Sequence, residues 1–209
     1  MFSIEIPELS QRIIDELSGH ALPESDTVSN WALEKERKIY FDVDVGADLL
    51  ALNRLVLRWN MEDRGLARED RKPIWLYIFS YGGDIDYMWM ALDTIKTSVT
   101  PIYTVNLGQA ASAAALIFIS GHKRFMMPNA KVTIHEGSAQ LSGDAVKVMD
   151  QSESYKKQLK QMKMFILNNS EIPRSQLMKK RNNDWELDAS YCLEHKACDA
   201  IIQSIDDII

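Results

Sequence analysis

Cysteine is nearly absent: the 209 residues hold only Cys192 and Cys198, six apart near the C-terminus. That number and spacing suit neither a disulfide framework nor a zinc site, so both thiols are expected to pack as small hydrophobes. Glycine (9) and proline (6) are scarce while 46% of the residues are hydrophobic, which excludes collagen-like, low-complexity and disordered chains. No apolar run approaches the roughly 18 residues of a membrane-spanning helix. The first twenty residues carry Glu5, Glu8, Asp15 and Glu16 where a secretory signal needs a basic start and an apolar stretch, so the cytoplasm is the expected compartment. Basic charge is also in deficit: 24 Lys and Arg against 30 Asp and Glu leave a net charge of -6, which argues against nucleic acid or an anionic membrane as partner.

What is present suits one domain, since a single core commonly grows to about 150–250 residues. Residues 1–30 form an expected N-terminal extension, a short amphipathic stretch followed by polar residues and chain breakers, poorly ordered. From residue 31 to 209 one domain is expected. Residues 38–45 alternate like a strand, and 47–60 repeat Leu49, Leu52, Leu55, Val56 and Trp59 like a helix. Residues 62–72 read as a charged loop. The run Ile74-Trp-Leu-Tyr-Ile-Phe79 is short and continuously apolar, the pattern of a strand buried on both faces. A helix over 85–97, a strand over 102–105, a helix over 113–120 and a strand over 131–135 continue the alternation. Strands alternating with helices at this spacing predict an α/β fold of repeated βαβ units with a parallel-type sheet, whose loops at the strand C-terminal ends carry any site. A last helix, about 145–169, has an apolar stripe through Val148, Met149, Tyr155, Leu159, Met162 and Phe165, long enough to pack on something outside its own core.

Three segments fall where that sheet places loops. Ser80-Tyr-Gly-Gly83 follows the buried strand, and its glycines let backbone approach a ligand with free N–H groups. Gly108-Gln-Ala-Ala-Ser112 leads into an alanine-lined helix whose N-terminus favours negative charge developing near Ser112. His135 ends the strand Val132-Thr-Ile134. Each segment has an ordinary structural reading as a tight turn, a helix cap or a satisfied polar residue. Together they supply what acyl transfer by a hydroxyl nucleophile needs: the nucleophile, a base, and backbone donors for an oxyanion.

From about Glu36 onward these motifs resemble the proteolytic subunit of the ATP-dependent Clp protease, ClpP. Tyr77-Ile-Phe-Ser-Tyr-Gly-Gly83 is similar to the family's Tyr-Ile-Asn-Ser-Pro-Gly-Gly, and Gly108-Gln-Ala-Ala-Ser112 matches its nucleophile motif. Lys123-Arg-Phe-Met-Met-Pro-Asn129 resembles Lys-Arg-Phe-x-x-Pro-Asn, and His135 follows six residues later where the family has Ile-His. Asp184-Trp-Glu-Leu-Asp-Ala189 is similar to the family's Asp-x-x-Leu-Ser-Ala. The resemblance implies a ClpP/crotonase-like fold with a long handle helix and a serine endopeptidase acting on unfolded polypeptides. It implies Ser112, His135 and Asp184 as the catalytic triad and the backbone N–H groups of Gly83 and Ala113 as the oxyanion hole. It further implies a homo-oligomer of heptameric rings stacked face to face as a tetradecamer. The chain itself would carry no cofactor, ATP being used by a partner AAA+ unfoldase.

Tyr81 in place of the family's Pro, Ala113-Ala114 in place of Met-Gly, and His135-Glu136-Gly137 in place of His-Gln-Pro depart from the pattern and look closer to divergent, phage-type ClpP-like proteins. Alternatives are a non-catalytic ring subunit, a crotonase-type acyl-CoA enzyme using the same N–H pair, and a Ser-Lys peptidase with Lys123 or Lys131 as base. Glu136 is expected as a solvated loop carboxylate, and Trp59, Trp75, Trp89 and Trp185 as packing residues.

Overall fold

A computed structural model describes residues 32–137, 140–179 and 184–209. The chain divides into two compact units, 1–36 and 37–209, and the sheet with its helices belongs to the second. The expected extension over 1–30 lies outside the described residues.

The elements run in the order β1 (Lys38–Phe41), α1 (Leu49–Glu62), β2 (Ile74–Ser80), α2 (Ile85–Thr97), β3 (Ile102–Ala111), α3 (Ala113–Ile119), β4 (Lys123–Met126), β5 (Lys131–Ile134), α4 (Ala145–Asn168), α5 (Arg174–Lys179), β6 (Trp185–Asp188), α6 (Ala189–Glu194) and β7 (Ala200–Ile201). One 3₁₀ turn, Arg68–Asp70, interrupts the charged loop, and another, Ile205–Asp207, lies near the C-terminus. Strands β1, β2, β3, β4 and β7 are neighbours in that order and parallel. β5 joins the distal end of β3 in parallel, and β6 then pairs antiparallel with β5. The sheet is thus mixed at its far edge, where the sequence pattern predicts only parallel pairs.

Strand β2 shows why the sheet has two different faces. Ile74, Leu76 and Ile78 point into the main core beside Leu52, Val56, Met88, Leu92 and Leu116 from the helices. Trp75 and Tyr77 point the other way, into a second cluster with Val105, Phe125, Ile202 and Ile208. Helices α1, α2 and α3 therefore cover one face, and the C-terminal segment supplies part of the cover on the other. The Tyr77 hydroxyl donates to the Ile208 carbonyl there.

Strand β3 is longer than the pattern predicts, because Gly108-Gln-Ala-Ala111 is strand and not loop. Asn and Gly weaken strands, which is why the pattern breaks off at 105. Here the buried Asn106 absorbs the irregularity: its amide donates to the Lys131 carbonyl at 2.8 Å, and its oxygen accepts from the Gly108 N–H at 3.1 Å. The β2 pairing shifts register across the same point, and β3 passes from β4 to β5 as its other neighbour. This change of neighbour carries the end of β3 to the edge where the site lies.

Candidate active site

Ser112 sits between β3 and α3 with φ 54° and ψ -123°, a conformation that costs an L-residue of order 1–3 kcal/mol. Its surroundings enforce it. The Ser112 N–H donates to the Thr133 carbonyl on β5 at 2.8 Å, and all seven residues of α3 are buried. Ala113, Ala114 and Ala115 open that helix, so it packs closely against the sheet. The sharp strand-to-helix turn leaves Ser112 only partly buried, in a cleft of about 460 Å³.

The opposite wall is the turn after β2. Buried Ser80 accepts the Gly82 N–H at 3.3 Å, and Gly82 has φ 103°. The Val45 N–H donates to the Gly82 carbonyl and the Val45 carbonyl accepts from Asp84, both at 2.8 Å. In such a parallel bridge the central residue turns its own groups to the other side, so the Gly83 N–H faces away from Val45. Ala113 is the first residue of α3, and its N–H has no intrahelical acceptor. Gly83 and Ala113 both line the cleft that holds Ser112 and His135.

His135 follows the last residue of β5, and its Nδ1 lies 3.2 Å from Asp184 Oδ1, just ahead of β6. The antiparallel β5–β6 pairing, Ile134 opposite Trp185, brings the two residues together. The His135 side chain is 35% exposed and that of Asp184 74%, so the pair is open to water. With Nδ1 turned to Asp184, Nε2 is the ring nitrogen left for the cleft.

Beside Ser112 and His135 lies a second, tight pocket walled by Leu116, Ile134, Leu159, Met162, Ile166 and Leu177. Its rim is ionic, because the Lys163 ammonium pairs with the Glu136 carboxylate. This corrects the expectation of a solvated Glu136. Its side chain is 26% exposed, and its carbonyl accepts the Tyr155 hydroxyl at 2.7 Å. Burial, then the Glu136 carboxylate, push the Tyr155 phenol above its ordinary value. Trp185, read from sequence as packing, lines this pocket and meets Tyr191 edge-on at 5.6 Å. Tyr81 is 68% exposed at the cleft mouth and meets the Phe79 ring edge-on at 6.0 Å.

The structure thus brings Ser112, His135, Gly83 and Ala113 into one cleft, with Asp184 behind the histidine. Lys123 and Lys131 stand elsewhere: Lys131 pairs with Glu186 at 2.7 Å, and Lys123 lies 5.2 Å over the Tyr103 ring. Tyr155 and Lys163 were missed as site residues, because nothing near His135 in sequence marks a helix that returns 20 to 28 residues later. Among the described residues no group of three or more His, Cys, Asp or Glu is placed to hold a metal ion, and no helix is long and apolar enough to cross a membrane.

A mostly parallel sheet with its serine on a strained strand-to-helix turn, facing a diglycine turn and a strand-end histidine, defines a protein of the ClpP/crotonase-like fold. A family model for Clp protease matches residues 32–205. Among curated relatives, the ATP-dependent Clp protease proteolytic subunit 2 of Treponema pallidum is 29% identical over 139 residues, which cover 66% of this chain and 70% of the relative. The ATP-dependent Clp protease proteolytic subunit of Streptococcus uberis is 31% identical over 145 residues, covering 66% and 72%, and that of Streptococcus mutans is 31% identical over 146 residues with the same coverage. The chain belongs to the Clp protease family, a family of peptidases.

Proposed function

We propose that the chain is a serine endopeptidase that cleaves unfolded polypeptides with Ser112 as nucleophile, His135 as general base and Asp184 as the partner that orients the histidine. The observation that carries this reading is the single cleft holding Ser112 at its strained turn, His135, and the N–H groups of Gly83 and Ala113.

The chemistry follows from the placement. His135 Nε2 takes the Ser112 hydroxyl proton as Oγ attacks the scissile carbonyl carbon, and the carbonyl oxygen becomes an oxyanion held by the two N–H groups. The C–N bond breaks as His135 returns the proton to the leaving amine, leaving an acyl ester on Ser112. Water, deprotonated by His135, then attacks the ester and restores the serine. Asp184 holds the imidazole in the tautomer with its proton on Nδ1 and stabilises the imidazolium. The apolar wall of the adjoining pocket favours an apolar side chain on the acyl side of the bond.

We propose further that the active particle is a chamber of two stacked heptameric rings in the cytoplasm, supplied by an AAA+ unfoldase that consumes ATP. Helix α4 supports the stacking: Met162 and Ile166 in its second half are buried, while Val146 and Met149 in its first half are 70% and 68% exposed, an apolar surface that a second copy would cover.

The test is intact-mass spectrometry after treatment with a fluorophosphonate, on wild type, Ser112→Ala and His135→Ala, with native mass on the same samples. Labelling confined to wild type, on a particle of many subunits, is the expected result. An unlabelled but well-formed ring would overturn the peptidase reading in favour of a scaffold subunit or an acyl-CoA enzyme.

A further inference from the structure

Helix α4 grips the segment after His135 at two points. The Tyr155 hydroxyl donates to the Glu136 carbonyl at 2.7 Å, and the Lys163 ammonium pairs with the Glu136 carboxylate. Tyr155 and Lys163 are eight residues, about two turns, apart. With Leu159, Met162 and Ile166 they follow the i, i+4, i+7, i+8, i+11 spacing of a single helix face, and each of these five residues lines the cleft or the pocket beside it. Strand pairing ends at Ile134, so His135 is no longer held by the sheet, and Glu136 is the next residue to be anchored. The Asp184 side chain is 74% exposed, so its contact selects the imidazole's tautomer but adds little force to fix where the backbone at His135 stands. The charged groups around His135 in these two cavities and behind it are Glu136, Lys163, Asp84, Asp86 and Asp184, with the Tyr155 phenol.

We propose that Glu136 is the positioning residue of this site: clamped by Tyr155 and Lys163 of α4, it fixes through the adjoining peptide bond where the His135 ring stands relative to Ser112. The inference rests on the serine-peptidase reading and adds a dependence of the base on α4.

The experiment measures phosphorylation of Ser112 by a small dialkyl fluorophosphate, fluoride being the leaving group, and resolves the maximal rate from the apparent affinity. The proteins are wild type, Tyr155→Phe, Lys163→Met, Lys163→Arg and, as a control on the exposed side of the helix, Lys160→Met. Loss of one hydrogen bond in Tyr155→Phe should lower the maximal rate about 5-fold. Lys163→Met strands a partly buried carboxylate beside the base and should lower it by about 10-fold or more. The affinity should stay unchanged in both. Lys163→Arg should recover the rate to within about 2-fold, and Lys160→Met should match wild type, because a charge-assisted bond is restored in the first and untouched in the second. Wild-type rates in both Tyr155→Phe and Lys163→Met would overturn the inference. So would a Lys163→Met loss that tracks a lowered melting temperature, is not restored by arginine, and is absent from Tyr155→Phe, since the pair would then act on stability alone. A wild type that does not react at all removes the peptidase reading, and this inference falls with it.

Discussion

Gly82 has no room for a side chain, because a Cβ placed on it would stand 2.7 Å from the Ser112 Cβ and 2.7 Å from the Ala111 carbonyl oxygen. The turn after β2 and the turn after β3 are therefore fitted directly against each other, and the distance between the Gly83 N–H and Ser112 depends on that fit.

Gly82→Ala should be costly twice over. It sets an L-residue at φ 103° and pushes a methyl into backbone that cannot move aside. A loss of about 2–4 kcal/mol of stability is expected, with labelling of Ser112 reduced at least 10-fold in whatever folds, because the Gly83 N–H, a proposed oxyanion donor, shifts. Thermal melts and labelling of the same preparation check both. An unchanged melting temperature would mean that the two turns are further apart than described.

The strain at Ser112 is separable from its chemistry. Ser112→Ala and Ser112→Gly both remove the hydroxyl and should both lose turnover. At φ 54° and ψ -123°, however, glycine is unstrained while alanine is not. Ser112→Gly should therefore be more stable than Ser112→Ala by about 1 kcal/mol or more, after allowing for the greater freedom that glycine gives the unfolded chain. Denaturant midpoints of the two variants measure the difference, and equal midpoints would show an unstrained turn.

Away from the cleft, Arg37 donates twice to Asp63 at 2.7 Å, and the Thr100 hydroxyl adds a third bond at 2.8 Å. The Arg37 hydrogen bonds hold the Asp63 carboxyl below its usual range, against the opposing effect of burial. A depressed folded pKa stabilises the protein at pH values above the unfolded carboxylate pKa, near 4, and that contribution disappears as pH falls through the folded pKa. Wild type should accordingly exceed Asp63→Asn in stability at pH 7, with the gap closing as pH drops below about 4. A gap that stays constant with pH would assign it to packing.

The two thiols should be inert while the protein is folded. Cys192 and Cys198 are 0% and 1% exposed, and burial first, then neighbouring negative charge, pushes both up, Cys198 to about 12. Alkylation by iodoacetamide at pH 8 should be at least 100-fold slower in native protein than in denaturant, since both access and thiolate are lacking. Rapid native labelling of either cysteine would contradict the burial.

The sequence by itself determined most of the scaffold and pointed to the residues that the structure gathers in one cleft. Hydrophobic period and breaker residues located β1, β2, α1, α2, α3 and α4 to within a few residues, because each buries one apolar face or, for β2 and the wholly buried α3, every face. Local chemistry also marked Ser112, His135 and the Gly82-Gly83 turn. Other features are non-local and needed the tertiary structure. Strand β3 runs on through Asn106 and Gly108 because a side chain on one strand bonds backbone on another. Asp184 reaches His135 because β6, a strand of four residues, pairs antiparallel with β5. Glu136 exchanged the expected water for Lys163 because α4 folds back over the loop that precedes it. A one-dimensional pattern records which face of an element is apolar, but not which distant element will meet it, and the ion pair beside His135 is decided by that meeting.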